Sequence, residues 1–218
     1  ENPEGWVACF NPDGSCDSTF GTGGIIYWNV CTGNEFTMGI DADTTGNVFI
    51  LGYEEYAGAT ALDRGLLGKI RPNGTPDPGY GLYPSQPGLA FVSDPASKVH
   101  ALAMGRLPDG SRIAVFNTLD AYFTGTDADI IIARIDTSGS VDSTFTAPAS
   151  YSAPFGANGI AIAAVATPAG GFYIYGFGAG APKIAKIRPD GALDMSYGNN
   201  GLCTLPSSTG NGYDYDQS

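Results

Sequence analysis

Positive charge is scarce in this sequence. Its 218 residues hold 10 Lys and Arg against 22 Asp and Glu, giving a formal net charge of −12 and a pI near 4.2. A nucleic-acid binder needs clustered basic side chains to displace counterions, so that class is excluded, and an anionic membrane surface is disfavoured for the same reason. No stretch approaches the roughly 18 apolar residues of a membrane span. There is one histidine, His100, and neither a Gly-x-Ser-x-Gly nor a His-Glu-x-x-His motif, which argues against a Ser-His-Asp hydrolase and a zinc protease. No Cys-x-x-Cys occurs, so a zinc ribbon and a thioredoxin-like centre are out. The first residues show no Met, basic n-region or apolar h-region, which reads as a processed product or an excised domain.

Turn formers and aromatics are plentiful instead. The 32 Gly and 15 Pro follow no Gly-X-Y period, and 12 Tyr with 11 Phe provide too much apolar surface for a disordered chain. Glycine every few residues costs about 1 kcal/mol each inside a helix, so long helices are disfavoured. Many short strands with tight turns remain, and the fold class is all-β.

A recurring block organises the chain. It runs from Cys9 to Gly21 and returns at Lys69–Gly81, Arg134–Phe145 and Lys186–Gly198. Its anchor glycines, Gly14, Gly74, Gly139 and Gly191, are spaced by 60, 65 and 52 residues, each followed by an Asp three later and an aromatic six later. Between blocks a short apolar run and a strand–turn–strand hairpin recur, with second arms Val48–Leu51, Ile113–Phe116 and Phe172–Tyr175. Each unit therefore reads as four short antiparallel strands, the pattern of a β-propeller blade. The expectation is a β-propeller-like repeat of about three and a half blades in a single domain over residues 1–205. The half blade covers 5–30, full blades cover about 36–92, 99–155 and 160–205, and residues 206–218 form a polar tail or linker. Propellers close with four to eight blades, so an open arc leaves unpaired edges that invite association. Two chains supply seven blades on this count; a trimer, a truncated parent or a non-propeller stack are the other readings.

On these residues the sequence resembles the delta-60 repeat family of bacterial exported and surface proteins. The matching signature is Asp13-Gly14, then Asp17, then Thr19-Phe20-Gly21. The second and third copies depart from it, with Pro76 and Pro78 flanking Asp77 and no Gly after Phe145. The resemblance implies a propeller-like architecture and export; it brings no catalytic residues.

The cysteine count, four, fits two disulfides: Cys9 and Cys16 flank the turn Asn11–Gly14, and Cys31 with Cys203 can tie the chain ends. Four buried thiols are the alternative. The recurring Asp17, Asp77, Asp142 and Asp194 read as caps of the glycine turns. Lys69, Arg134 and Lys186 stand five before the glycine, placed to pair with those carboxylates; Cys9 takes that position in the first copy. Asp41 and Asp43 before Gly46 resemble half of a calcium loop, but the later bidentate Glu is missing, so a hairpin turn competes and no cofactor is required. Aromatics at strand ends and loops are the functional lead, because sugar rings stack on Tyr and Trp while acids bond their hydroxyls. The ligand-binding candidates are Trp28, Tyr53, Tyr56, Tyr83, Tyr122, Asp127 and Asp129.

The expected protein is a non-catalytic module, secreted or at a cell surface, that binds a glycan or protein through loops in the manner of an adhesin or fibre tip. It forms a dimer or trimer, binds no nucleic acid and does not insert in membranes. An assembly module that oligomerises through open sheet edges is the alternative, and a glycan-active hydrolase the third reading.

Overall fold

A computed structural model describes residues 5–28, 33–55, 63–81, 86–93, 98–118, 130–145, 155, 159–178 and 181–206. Among these residues there are thirteen strands and no helix. The strands form four antiparallel sheets in chain order. The first holds β1 (Gly5–Ala8) and β2 (Ile25–Trp28); the second holds β3 (Asn34–Ala42), β4 (Val48–Glu55), β5 (Arg64–Ile70) and β6 (Leu89–Val92). The third holds β7 (Val99–Arg106), β8 (Arg112–Thr118) and β9 (Ile130–Ile135); the fourth holds β10 (Ile160–Ala166), β11 (Phe172–Gly178), β12 (Ala181–Ile187) and β13 (Leu202–Thr204). Every sheet is a meander, as short hairpin connections dictate.

The four blocks fold alike. Each anchor glycine has a positive φ of 82–89° and donates its N–H to the carbonyl three residues earlier, at Asn11, Arg71, Asp136 and Arg188. A side chain at that dihedral is strained, which is why glycine recurs there. The Asp three residues on donates its backbone N–H to Cys9, Lys69, Arg134 or Lys186, closing the corner. Its side chain then caps the next turn: Asp17 accepts from Thr19, Asp142 from Thr144 and Asp194 from Ser196, each through N–H and hydroxyl, while Asp77 accepts from Gly79 N–H. The basic residue pairs with it across the corner, at 2.8 Å for Lys69–Asp77, 3.4 Å for Arg134–Asp142 and 2.8 Å for Lys186–Asp194.

In the first copy no disulfide replaces the ion pair. Cys9, Cys16 and Cys203 are free thiols. The register explains it: Phe10 bridges Cys16, so Cys9 stands opposite Asp17. Adjacent strand residues point to opposite faces, and the Cys9 and Cys16 side chains diverge. Cys31 lies outside the described residues.

Register also gives each full sheet two apolar faces with separate duties. Phe49 and Leu51 on β4, Leu67 on β5 and the corner residue Tyr80 pack forward against Val99, Ala101, Ala114 and Phe116 of the third sheet. Their counterparts Ile113, Val115, Ile132 and Phe145 pack forward against Ala161, Ile174, Ala185 and Ile187 of the fourth. Val7, Phe20 and Trp28 do the same from the first sheet onto Ile50, Ile70 and Leu89 of the second. Strands such as β8 are buried along their whole length because sheets cover both faces.

Two further devices recur. The first strand of each full unit carries an irregularity in its pairing, between Thr37 and Gly39, Ala101 and Ala103, and Ala161 and Ala163. Corner residues also bond from one unit to the next: Gly21 N–H donates to Asn73 O at 3.0 Å, and Gly81 N–H to Ser138 O at 2.8 Å.

Register corrects the count of seven. β1 ends in the corner that closes β5, β9 and β12, so β1 and β2 are the third and fourth strands of a unit. Two copies each supply that same half, and the halves do not sum to one sheet.

Candidate functional site

Forward faces of the first three sheets are covered by the next sheet. The fourth sheet presents the same face with nothing upon it among the described residues. Tyr173 and Tyr175 stand where Phe49 and Leu51 stand, Ile184 where Leu67 stands, and Tyr197 where Tyr80 stands. Together with Ala163, Ala164 and Val165 of β10 they line an open groove of about 410 Å³. Phe49 is 5% exposed and Leu51 0%, whereas Val165 at the rim of the groove is 63% exposed. Tyr173 packs edge-on against Tyr197 at 5.5 Å, and Tyr175 against Phe177 at 5.7 Å. Gly198, the counterpart of Gly21 and Gly81, offers its N–H at the same end without a partner among the described residues. Tyr173 and Tyr175, in place of Phe49 and Leu51, add hydroxyls for water or for a polar partner.

The fourth sheet's surroundings were not singled out from sequence. Tyr173 and Tyr175 lie in an apolar run that reads as an ordinary core strand, and only the assembled sheets show that their face has nothing upon it among the described residues.

The expected ligand residues fare differently. Trp28 is 2% exposed, because Gly68 leaves room for its indole between the first two sheets, so it is a packing residue. Both faces of Tyr53 are taken, by Phe36 at 4.9 Å and by His100 at 3.9 Å, which leaves no ring face for a sugar. Tyr56, Tyr83, Tyr122, Asp127 and Asp129 lie outside the described residues. Asp43 and Asp41 do not converge on a cation position. Asp43 accepts from the N–H and hydroxyl of Thr45 and from both nitrogens of Asn47; these bonds overcome burial and hold its pKa below the ordinary value. The Asp41 carboxylate turns to Arg112, 3.2 Å from Nε. Among the described residues no cluster of three or more His, Cys, Asp or Glu is placed to hold a metal ion.

Sequence reasoning missed a buried ionic cluster at the opposite end of the strands from the glycine corners. Asp63, with a fully buried side chain, bonds Lys98 Nζ at 3.2–3.3 Å and His100 Nε2 at 3.1 Å; Glu54, equally buried, accepts from Arg64 Nε at 2.8 Å and Gly33 N–H at 3.1 Å. The pairs join β7 to the start of β5, and β4 to β5. Sparse charge makes such pairs invisible in one dimension, since Asp63 and His100 are 37 residues apart.

Burial lowers the pKa of His100, against the opposing pull of Asp63. A folded value below the unfolded one means that the unfolded chain binds the proton first, so stability is lost as pH falls through about 6.5. The corner aspartates have lowered pKa values, Asp194 at about 2, through bonds from Lys186 and Ser196. Their contribution is present above the unfolded value of about 4 and lost below it. Urea midpoints measured from pH 8 to 3 are therefore expected to fall in two stages, with His100→Gln abolishing only the upper stage. A single acid-side loss in the wild type contradicts this.

One comparison concerns the third corner. A family model described as a β-propeller domain of unknown function (DUF5122) matches residues 119–145. Its described part is β9 and the corner through Phe145, one of four equivalent copies. No curated protein matches the chain. The likeness to DUF5122 supports a β-propeller type of repeat and accords with four antiparallel sheets without helices among the described residues.

Proposed function

We propose that the chain is a non-catalytic, extracytoplasmic recognition module, built as a propeller-like arc of about three and a half four-stranded blades. Its ligand is a protein that presents a sheet face of this same kind, and its binding surface is the tyrosine face of the fourth sheet. The observation that carries the reading is positional: Tyr173, Tyr175, Ile184 and Tyr197 hold the places that the two preceding full sheets bury under a neighbour. An apolar face of this extent that is left uncovered among the described residues marks an interaction surface. The acidic, lysine-poor composition and the resemblance to exported repeats support export.

Sedimentation of the free chain and of Tyr175→Asp tests this. The wild type is expected to run heavier than one chain through this face, and the variant to return to a single chain with unchanged far-UV circular dichroism. A wild type that stays a single chain at every concentration, and whose groove tyrosines react freely with a phenol-modifying reagent, sinks the proposal.

A glycan reading has one observation in its favour, the three tyrosines that line the groove. It requires array binding that Tyr173→Ala removes.

A further inference from the structure

The junction between the second and third sheets differs from the other two in its charge. Among the described residues ten ion pairs form, and three of them run from one sheet to another. All three are at this junction: Asp41 with Arg112 at 3.2 Å, and Asp63 with Lys98 at 3.2 Å and with His100 at 3.1 Å. The second sheet supplies both acids and the third sheet all the bases. The pairs stand at opposite ends of the strands, since Arg112 opens β8 beside the hairpin turn while Lys98 and His100 lie at the start of β7.

Register shows that these residues depart from the repeat. Asp41 faces Phe49 as Gly105 faces Ile113 and Val165 faces Tyr173, so its counterparts carry no charge. Arg112 takes the place of Val48 and Phe172, and His100 that of Phe36 and Ile160. The third and fourth sheets are joined by neutral groups instead, where Asn117 exchanges hydrogen bonds of 2.9 and 3.1 Å with the backbone of Ala161. Arg112 is 1% exposed and the side chain of Asp63 is fully buried. Buried ion pairs are often no more stabilising than apolar residues of similar size, so stability alone does not explain them.

We infer that Asp41–Arg112 and Asp63 with Lys98 and His100 form a charged key that fixes the order in which the sheets dock. A repeat chain has several forward faces and several rear faces of nearly one pattern, and the wrong two can meet while it folds. Against the forward face of the third or fourth sheet, Arg112 meets Gly105 or Val165 in place of Asp41. Against the rear of the fourth sheet, Asp41 meets Phe172 in place of Arg112. A buried charge without its partner is rejected more strongly than an apolar mismatch. Both sheets of this junction are described, so the key is independent of the tyrosine face.

The test uses Asp41→Val, Arg112→Phe and the two together, each change taking the residue that the fourth sheet has. Every chain also carries Tyr175→Asp, so that the tyrosine face is silenced in all of them. Asp41→Val strands Arg112 and is expected to lower the folding constant from urea titration about thirtyfold. The double variant is expected to recover to within about tenfold of the parent. Rapid dilution from urea at rising protein concentration then reads the order of docking. The double variant is expected to leave about tenfold more oligomer that persists on dilution than the parent, with a second set of amide signals from Ala114 and Phe116. Arg112→Phe alone leaves Asp41 at the solvent edge and is expected to show the same excess. Refolding of both Arg112→Phe chains to one species with one set of signals overturns the inference. So does Asp41→Val at the parent's stability, and so does a double variant as unstable as Asp41→Val, because the pair then serves stability itself.

Discussion

Gly74→Ala is expected to destabilise the chain by about 3–4 kcal/mol, with Gly139→Ala close behind and Gly14→Ala costing only about 1–2 kcal/mol. All three glycines have the same backbone dihedral, φ 82–84°, and share the strain of adding a side chain there. What differs is the neighbour. A Cβ on Gly74 runs into the backbone nitrogen of Gly21, and one on Gly139 into that of Gly81; around Gly14 nothing stands within 4 Å. Those nitrogens make the bonds from one unit to the next, so the substitution breaks a hydrogen bond and pushes two sheets apart. Urea midpoints at constant slope measure the difference. Equal losses at positions 14 and 74 show that the contact between units carries no weight.

The second large effect is at Phe116. This ring is fully buried and projects from β8 toward Gly65 of the second sheet, where a Cβ would collide with it. Phe116→Ala removes the ring and leaves a cavity between two sheets, at a cost of about 3–5 kcal/mol. Val165→Ala, on the uncovered face of the fourth sheet, is expected to stay within about 0.5 kcal/mol in the single chain. A small effect at Phe116 shows that the second and third sheets are not joined through this core.

Much of the architecture is legible in one dimension because its rule is local. Gly74, Asp77 and Tyr80 lie within seven positions, and their bonds run among near neighbours, so the corner is written in a dozen residues. Strand runs such as Val48–Leu51 likewise announce burial on two sides. Contacts between units are not written that way. Trp28 reads as a loop-end aromatic until Gly68 is seen beneath it, 40 residues away. Arg112 follows the hairpin turn and is 1% exposed, 3.8 Å above the ring of Phe49 and bonded to Gly110 O at 2.7 Å, and no local pattern announces the contact with Phe49. The pairing of Cys9 with Cys16 looked plausible from the turn between them, and failed on strand parity, which counting residues does not reveal unless the bridge position is known. The tyrosine groove was hidden for a simpler reason: Phe172–Tyr175 has the same pattern as its covered counterparts.

The forward-facing design has a consequence for how such a chain acquires its shape. Each corner and hairpin can close as soon as its own residues are available, because the contacts are short in sequence. Every newly formed sheet nevertheless leaves a greasy side bare until its successor arrives, a transient hazard for clumping that moves along the polypeptide as synthesis proceeds. Among the described residues the fourth sheet has no successor upon it, so it displays the same stickiness that each earlier one had only for an interval.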